Sequence, residues 1–108
     1  MGQLKRDQTK IFQKWFSKLS SNIQDKIAEY IDRVLDGNIL NCKTLRKGIS
    51  EIVINYQRGY RVYYTILQNK TILLLLSGGN KGGNQREQQR DIEKAAIIRD
   101  YLKEKEEI

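Results

Sequence analysis

The chain has 108 residues, room for one domain with a modest core, and carries 20 Lys and Arg against 13 Asp and Glu, a net charge of +7. That sign favours an anionic partner such as RNA, DNA or an acidic protein. With no histidine and a single cysteine, Cys42, an internal disulfide, a cysteine- or histidine-based metal site and any Ser-His-Asp or Cys-His nucleophile pair are excluded. Acid–base chemistry must fall to Lys, Arg, Tyr, Asp or Glu, and no metal or cofactor is expected.

Residues 1–7 read as a polar lead-in with no apolar run behind the basic residues, so no secretory signal is expected. Lone cysteine usage fits a reducing cytoplasm. A first helix is predicted from Asp7 or Thr9 to about Leu19, with Phe12, Trp15, Phe16 and Leu19 forming one apolar stripe at i, i+3, i+4, i+7. Trp15 in such a stripe reads as core. Ser20-Ser21-Asn22 breaks the pattern, and either Asn22 with Asp25 or Ser21 with Gln24 offers a capping box. A second helix follows through Ile23, Ile27, Tyr30, Ile31, Val34 and Leu35, with Gly37 as its stop. Two helices with a short break between them predict a hairpin that needs a sheet to cover.

From Ile39 to Gly48 the chain is basic, with Lys43, Arg46 and Lys47, and holds at most a short edge strand. Such a cluster is either a solvated face or a grip on phosphates. Strands are predicted over residues 50–56 and 60–67, joined by a turn at Gln57-Arg58-Gly59. Alternation puts Tyr60, Val62, Tyr64 and Ile66 on one face and Arg61, Tyr63, Thr65 and Leu67 on the other. A third strand spans 71–77, where the unbroken run Ile72 to Leu76 suits a central strand buried on both faces. Residues 78–84 read as a flexible glycine loop, and a last helix runs from about 84 to 105, leaving 104–108 as a charged, fraying tail. The expectation is a single α+β domain over 1–108: an N-terminal helix hairpin packed on a curved antiparallel sheet of three to four strands and a C-terminal helix, with the helices on one side of the sheet. The glycine loop is not a nucleotide loop, since Gly83 is followed by Asn84 and Gln85 rather than Lys-Ser/Thr, and position 80 is asparagine.

The ordered set Phe12-x-x-Trp15, Asp36-Gly-Asn38, Glu51-Ile52, Gly59-Tyr-Arg-Val-Tyr-Tyr64, Leu74-Leu-Leu-Ser-Gly-Gly-Asn-Lys81 and Asp91-Ile-Glu-Lys-Ala95 resembles the HigB-like "addiction module killer" toxins of the RelE/ParE superfamily, from about residue 11 to 102. The resemblance implies the toxin of a type II toxin–antitoxin pair, with a RelE/ParE-like fold. It implies as partners a cognate antitoxin, often a helix-turn-helix protein, and mRNA on the ribosome, which HigB- and RelE-type relatives cut. The ParE branch instead poisons DNA gyrase. Two departures stand out. Where the family strand reads Glu-Leu-Arg-Ile, this chain has Val53 in the arginine position. Where the family loop reads Gly-Gly-Asp-Lys, this one reads Gly-Gly-Asn-Lys with about four extra residues before Asp91.

Metal-free RNA cleavage uses the neighbouring 2′-hydroxyl as nucleophile and yields a 2′,3′-cyclic phosphate and a 5′-hydroxyl. Arg61 suits charge stabilisation, because its planar fork holds phosphate oxygens and stays protonated. Lys81 and the tyrosines are the available proton carriers. The predicted catalytic set is therefore Arg61, Lys81 and Tyr63. Tyr63 or Tyr60 would stack on a base or shuttle a proton, and Lys43, Arg46, Lys47 and Arg58 would contribute positive charge to RNA binding. The structural alternatives are an Arg61–Glu51 pair across the strands and tyrosines that belong to the core. Three functional readings remain open: a ribosome-dependent endoribonuclease of the cytoplasm that arrests growth by blocking translation, a gyrase inhibitor, and an attenuated toxin weakened by Val53.

Overall fold

The computed structural model describes residues 4–46, 48–67, 71–80 and 85–105. Within the stretch expected to be a polar lead-in, residues 5–7 belong to a strand, β1 (Lys5–Gln8), whose four residues are all exposed. It pairs in parallel with a later strand, placing Lys5 against Ile72 and Gln8 against Leu75. A short polar strand bound through its backbone has no apolar alternation to betray it. Thr9 then caps α1 (Lys10–Ser17): its Oγ1 accepts from the Phe12 N–H at 3.0 Å and donates to the Leu76 carbonyl at 2.7 Å. One hydroxyl thus starts the helix and pins it to the sheet. Phe12 is fully buried and stacks on Phe16 at 5.6 Å between ring centroids.

Residues 18–20 lead to α2 (Ser21–Leu35), where Ser20 takes the cap position without a side-chain hydrogen bond, so neither expected capping box starts the helix. Instead Gln24 Nε2 donates to the Phe16 carbonyl at 2.9 Å, satisfying an end group of α1. Gly37 stops α2 at φ 96°. The strands β2 (Cys42–Thr44), β3 (Ile49–Ile54), β4 (Tyr60–Leu67) and β5 (Ile72–Asn80) follow, and α3 (Gln85–Glu104) ends the fold.

The sheet has five strands in the order β1-β5-β4-β3-β2. It is mixed rather than antiparallel, because β1 runs parallel to β5. The helices are also not on one side. Phe12, Ile27, Ile31 and Val34 from α1 and α2 pack with Ile52, Ile54, Tyr60, Val62, Tyr64, Leu73 and Leu75. Ile92, Ala95, Ala96 and Ile98 from α3 pack with Ile49, Tyr63, Leu74 and Leu76 on the opposite face. The apolar run of β5 is the covered centre of a three-layer sandwich, as its lack of alternation implies.

A bulge in β5 sets the geometry of everything beyond it. Tyr63 lies opposite Ser77 but Tyr64 lies opposite Leu75, so Leu76 is the extra residue. The phase of the strand reverses there. Gly78 is turned towards α1 and Gly79 towards α3. These glycines belong to the strand, not to a loop. A Cβ at Gly78 would collide with the six-membered ring of Trp15, and one at Gly79 with the carboxylate of Asp91.

Candidate functional site

The face of the sheet under α3 carries an unusual load for a core. Glu51 stands in the apolar strand Ile49–Ile54, points at α3 and is 1% exposed. Its Oε2 lies 3.5 Å from Nε of Arg61, whose side chain is 14% exposed. Arg61 is opposite Val53 on β3 and Gly79 on β5, so the ion pair runs diagonally, while Glu51 itself faces Tyr63. Burying a carboxylate is tolerable only with such a partner.

Tyr63 is fully buried beside this pair, and its hydroxyl has no hydrogen-bond partner among the described residues. Burial first, then the negative charges of Asp91 and Glu51, push its proton affinity well above that of an ordinary phenol, with Arg61 opposing. Asp91, in the early turns of α3, closes the arrangement against Gly79. Its pKa is raised, chiefly by burial and further by Glu87, while Lys94 and Arg61 act in the other direction. The arrangement couples one guanidinium to a buried carboxylate, a half-buried acid and a protonated phenol.

Where β5 runs on past the end of β1, a groove of about 340 Å³ opens between α1 and α3. It is lined by Ile11, Lys14, Trp15, Lys18, Ser77, Gly78, Asp91 and Lys94. Asp91 is common to the groove and to the Arg61 cluster.

Of the residues predicted from sequence, the structure brings Arg61 and Tyr63 together on one face. Tyr60 is on the other, 6% exposed in the core beneath α1 and α2, so it offers no stacking surface. Lys43 is exposed on β2, at the far edge of the sheet from β5. Arg46 extends to Glu93 of α3 at 3.6 Å. Arg58 is exposed in the β3–β4 turn. Lys47 and Lys81 lie outside the described residues. Sequence reasoning gave Asp91 no role beyond its place in the family motif and Trp15 none beyond the core. The signal available for Glu51 was a charge inside an otherwise apolar strand.

Among the described residues no helix is long and apolar enough to cross a membrane, and no group of three or more metal-ligating side chains assembles. The layer order and strand order define a three-layer α+β protein. The chain superposes on the isolated E. coli RelE toxin with a TM-score of 0.62 at 17% identity, covering 83% of this chain and 97% of that one. It matches a chain of the intact E. coli RelBE toxin–antitoxin complex with 0.61 at 22%, over 71% and 95%. A chain of the archaeal RelE–RelB complex from Pyrococcus horikoshii gives 0.60 at 14%, over 76% and 99%. These identities establish a shared fold. By sequence, the chain belongs to the phage-derived protein Gp49-like family (DUF891), whose model matches residues 14–100. A relative in Haemophilus influenzae, named only as an uncharacterized protein, is 36% identical over 95 residues, 87% of this chain and 91% of that protein.

Proposed function

We propose that this chain is the toxin of a type II toxin–antitoxin pair, of the HigB-like kind, and that it cuts mRNA on the ribosome without a metal. The reading rests on one observation above the others. On a RelE-type sheet, a partly exposed arginine, Arg61, is held by a buried carboxylate at 3.5 Å and adjoins a lysine-lined groove through Asp91. The net charge of +7 supports an RNA partner, and the RelE relatives solved as toxin–antitoxin complexes support a cognate antitoxin, which we take to be a helix-turn-helix protein. The site of action is then the ribosome in the cytoplasm.

In this reaction the 2′-oxygen of the RNA attacks the adjacent phosphorus, the bond to the 5′-oxygen breaks, and a 2′,3′-cyclic phosphate and a 5′-hydroxyl remain. Arg61 stabilises the charge that builds on the phosphoryl oxygens. Tyr63 is closed off beneath α3, which supports a role in shaping the site rather than in touching RNA. Proton transfer is left to Lys81 and to Asp91, whose raised proton affinity supports the assignment in a chain without histidine. Docking on the ribosome supplies much of the rate by orientation.

A second reading, an attenuated toxin that binds antitoxin and RNA but cleaves slowly, is favoured by Val53, the residue paired with Arg61 across β3 and β4. Inducing the gene and mapping mRNA ends separates the possibilities. Codon-phased cuts with 5′-hydroxyl ends are expected. A DNA-damage response with intact mRNA would mean a gyrase inhibitor. No growth effect with antitoxin still co-purifying would mean the attenuated form. Val53→Arg then raises cleavage if the missing guanidinium limits it, and an unchanged rate removes that explanation.

A further inference from the structure

The lysines along α1 and at its C-cap form one basic row. Lys10, Lys14 and Lys18 recur at every fourth position, and the helix contains no acidic residue. Like charges at i, i+4 destabilise a helix by a few tenths of a kcal/mol each. Several basic groups elsewhere in the fold do have carboxylate partners: Lys26 and Arg33 share Glu29, Arg46 meets Glu93 and Arg61 meets Glu51. Neither Lys14 nor Lys18 reaches a carboxylate within ion-pair distance among the described residues. Both project into the groove that Lys94 borders from α3, so three cations from two helices face one opening with a single carboxylate, Asp91, at its inner end. Cations that outnumber their counter-charges repel each other, and a bound anion relieves the repulsion.

The floor of the groove is aromatic. Trp15 is half-buried, with its six-membered ring pressed to the backbone at Gly78. The absence of a side chain at 78 is what lets an indole lie there. A flat aromatic surface ringed by lysines is how proteins hold single-stranded nucleic acid without reading its sequence: the ring takes a base and the cations follow the backbone. An acidic peptide would satisfy the lysines but has no need of the indole. The volume, about 340 Å³, is at the lower end of small-ligand sites and suits a single nucleotide.

We propose that this α1–α3 groove is a nucleotide subsite for single-stranded RNA, with Trp15 stacking on one base and Lys14, Lys18 and Lys94 contacting the flanking phosphates. The proposal rests on the RNA-cleaving reading only for its purpose. Asp91 joins groove and cluster, so a strand seated on Trp15 is led towards Arg61. Binding here would be indifferent to sequence and steeply dependent on salt.

Trp15 is the only tryptophan, so its fluorescence reports this groove alone. The full-length protein is titrated with an oligoadenylate RNA of about six nucleotides, a length typical of one such platform. Quenching is expected at roughly 50 mM salt, fading as salt rises. The Lys14→Ala/Lys18→Ala double variant should bind on the order of tenfold more weakly, with the log–log salt slope flattened by about 1.4, two phosphate contacts at roughly 0.7 each. Trp15→Phe, followed by anisotropy of a labelled RNA, should retain most of the salt dependence and lose affinity. No quenching, or quenching that the lysine substitutions leave unchanged, overturns the proposal. Equal competition by a glutamate peptide of the same charge overturns the assignment to RNA. The Glu51→Met/Arg61→Met double variant separates this idea from the catalytic one, because removing both members of the buried pair keeps the fold, and it should abolish cleavage in cells while leaving the Trp15 signal intact. Quenching in a wild-type protein that cuts no mRNA would defeat the cleavage reading and leave the groove standing.

Discussion

Arg61 Nε lies 3.5 Å from Oε2 of Glu51, and the two come from neighbouring strands under a helix that all but closes over the carboxylate. Such a pair contributes little net stability, yet removing one member leaves the other buried without compensation. Arg61→Ala is therefore expected to cost about 3 kcal/mol in urea unfolding. Replacing both residues by methionine should return stability to within about 1 kcal/mol of the wild type while leaving the protein inactive. That double variant tells a lost phosphate ligand from a damaged fold. If it stays as unstable as Arg61→Ala, the guanidinium supports the fold through contacts other than Glu51.

Gly78 and Gly79 are adjacent but should respond differently to alanine. At Gly78 the obstacle is the Trp15 ring, a rigid plane fixed by α1; at Gly79 it is a carboxylate at the end of a short side chain that can swing aside. Gly78→Ala is expected to cost about 2–3 kcal/mol, as overpacking does, and to shift Trp15 emission. Gly79→Ala should cost under about 1 kcal/mol, since reduced freedom of the unfolded chain offsets part of the strain. Chemical denaturation of both variants with emission spectra checks the ranking, and equal costs would mean that the ring yields as easily as the carboxylate.

These two glycines also show what the sequence could and could not disclose. The β-branched and aromatic run Tyr60–Leu67 placed that strand, and the two-residue period of strand side chains sorted its faces correctly although both are covered. The unbroken run in β5 announced cover on both faces, but not which helix covers which. Gly78 and Gly79 read as loop, since the reason for them lies in Trp15 and Asp91, on helices outside the strand. β1 was invisible for a related reason: its stabilising contacts are backbone hydrogen bonds, which any side chains permit. For the site, alternation put Arg61 beside Tyr63 and away from Tyr60. The burial of Tyr63 depends on α3 crossing the sheet, a contact between distant segments that no local pattern encodes.

Asp91 gives a pH dependence with a definite sign. Burial raises its pKa in the folded protein, so the fold favours the protonated acid. A group of that kind contributes its stability fully below the unfolded value, roughly 3.9, and loses it as pH rises through the higher folded value. Asp91→Asn removes the charge at almost constant shape. The variant should be more stable than wild type at pH 7, with the difference shrinking as pH falls towards about 4. If Asp91 carries a proton in RNA cleavage, the same variant should cleave more slowly. Greater stability with lower activity is the pattern of a residue kept for function at the expense of the fold. Thermal unfolding across pH, alongside mRNA end mapping, tests both halves. A variant less stable at pH 7 would mean that attraction to Lys94 and Arg61 outweighs burial.

Tyr63 offers a sharper separation of fold from chemistry. Its ring is fully buried against Leu74, Leu76 and the alanines of α3, and its hydroxyl has no hydrogen-bond partner among the described residues. A buried hydroxyl left unsatisfied costs about 1–3 kcal/mol of desolvation with nothing in return. The packing belongs to the ring, so Tyr63→Phe keeps what stabilises and discards what does not. Stability is expected to rise by about 1 kcal/mol, within the range of that penalty. On the proposed reading, toxicity on induction should persist, because the phenol is enclosed by α3 and holds its proton more tightly than usual, which places it poorly for contact with RNA or proton transfer near neutral pH. Tyr63→Ala differs in kind: it empties a cavity under α3 and should cost about 3–5 kcal/mol. A Tyr63→Phe protein that keeps its fold but loses cleavage would show that α3 moves aside in the working complex and that the hydroxyl takes part in the reaction.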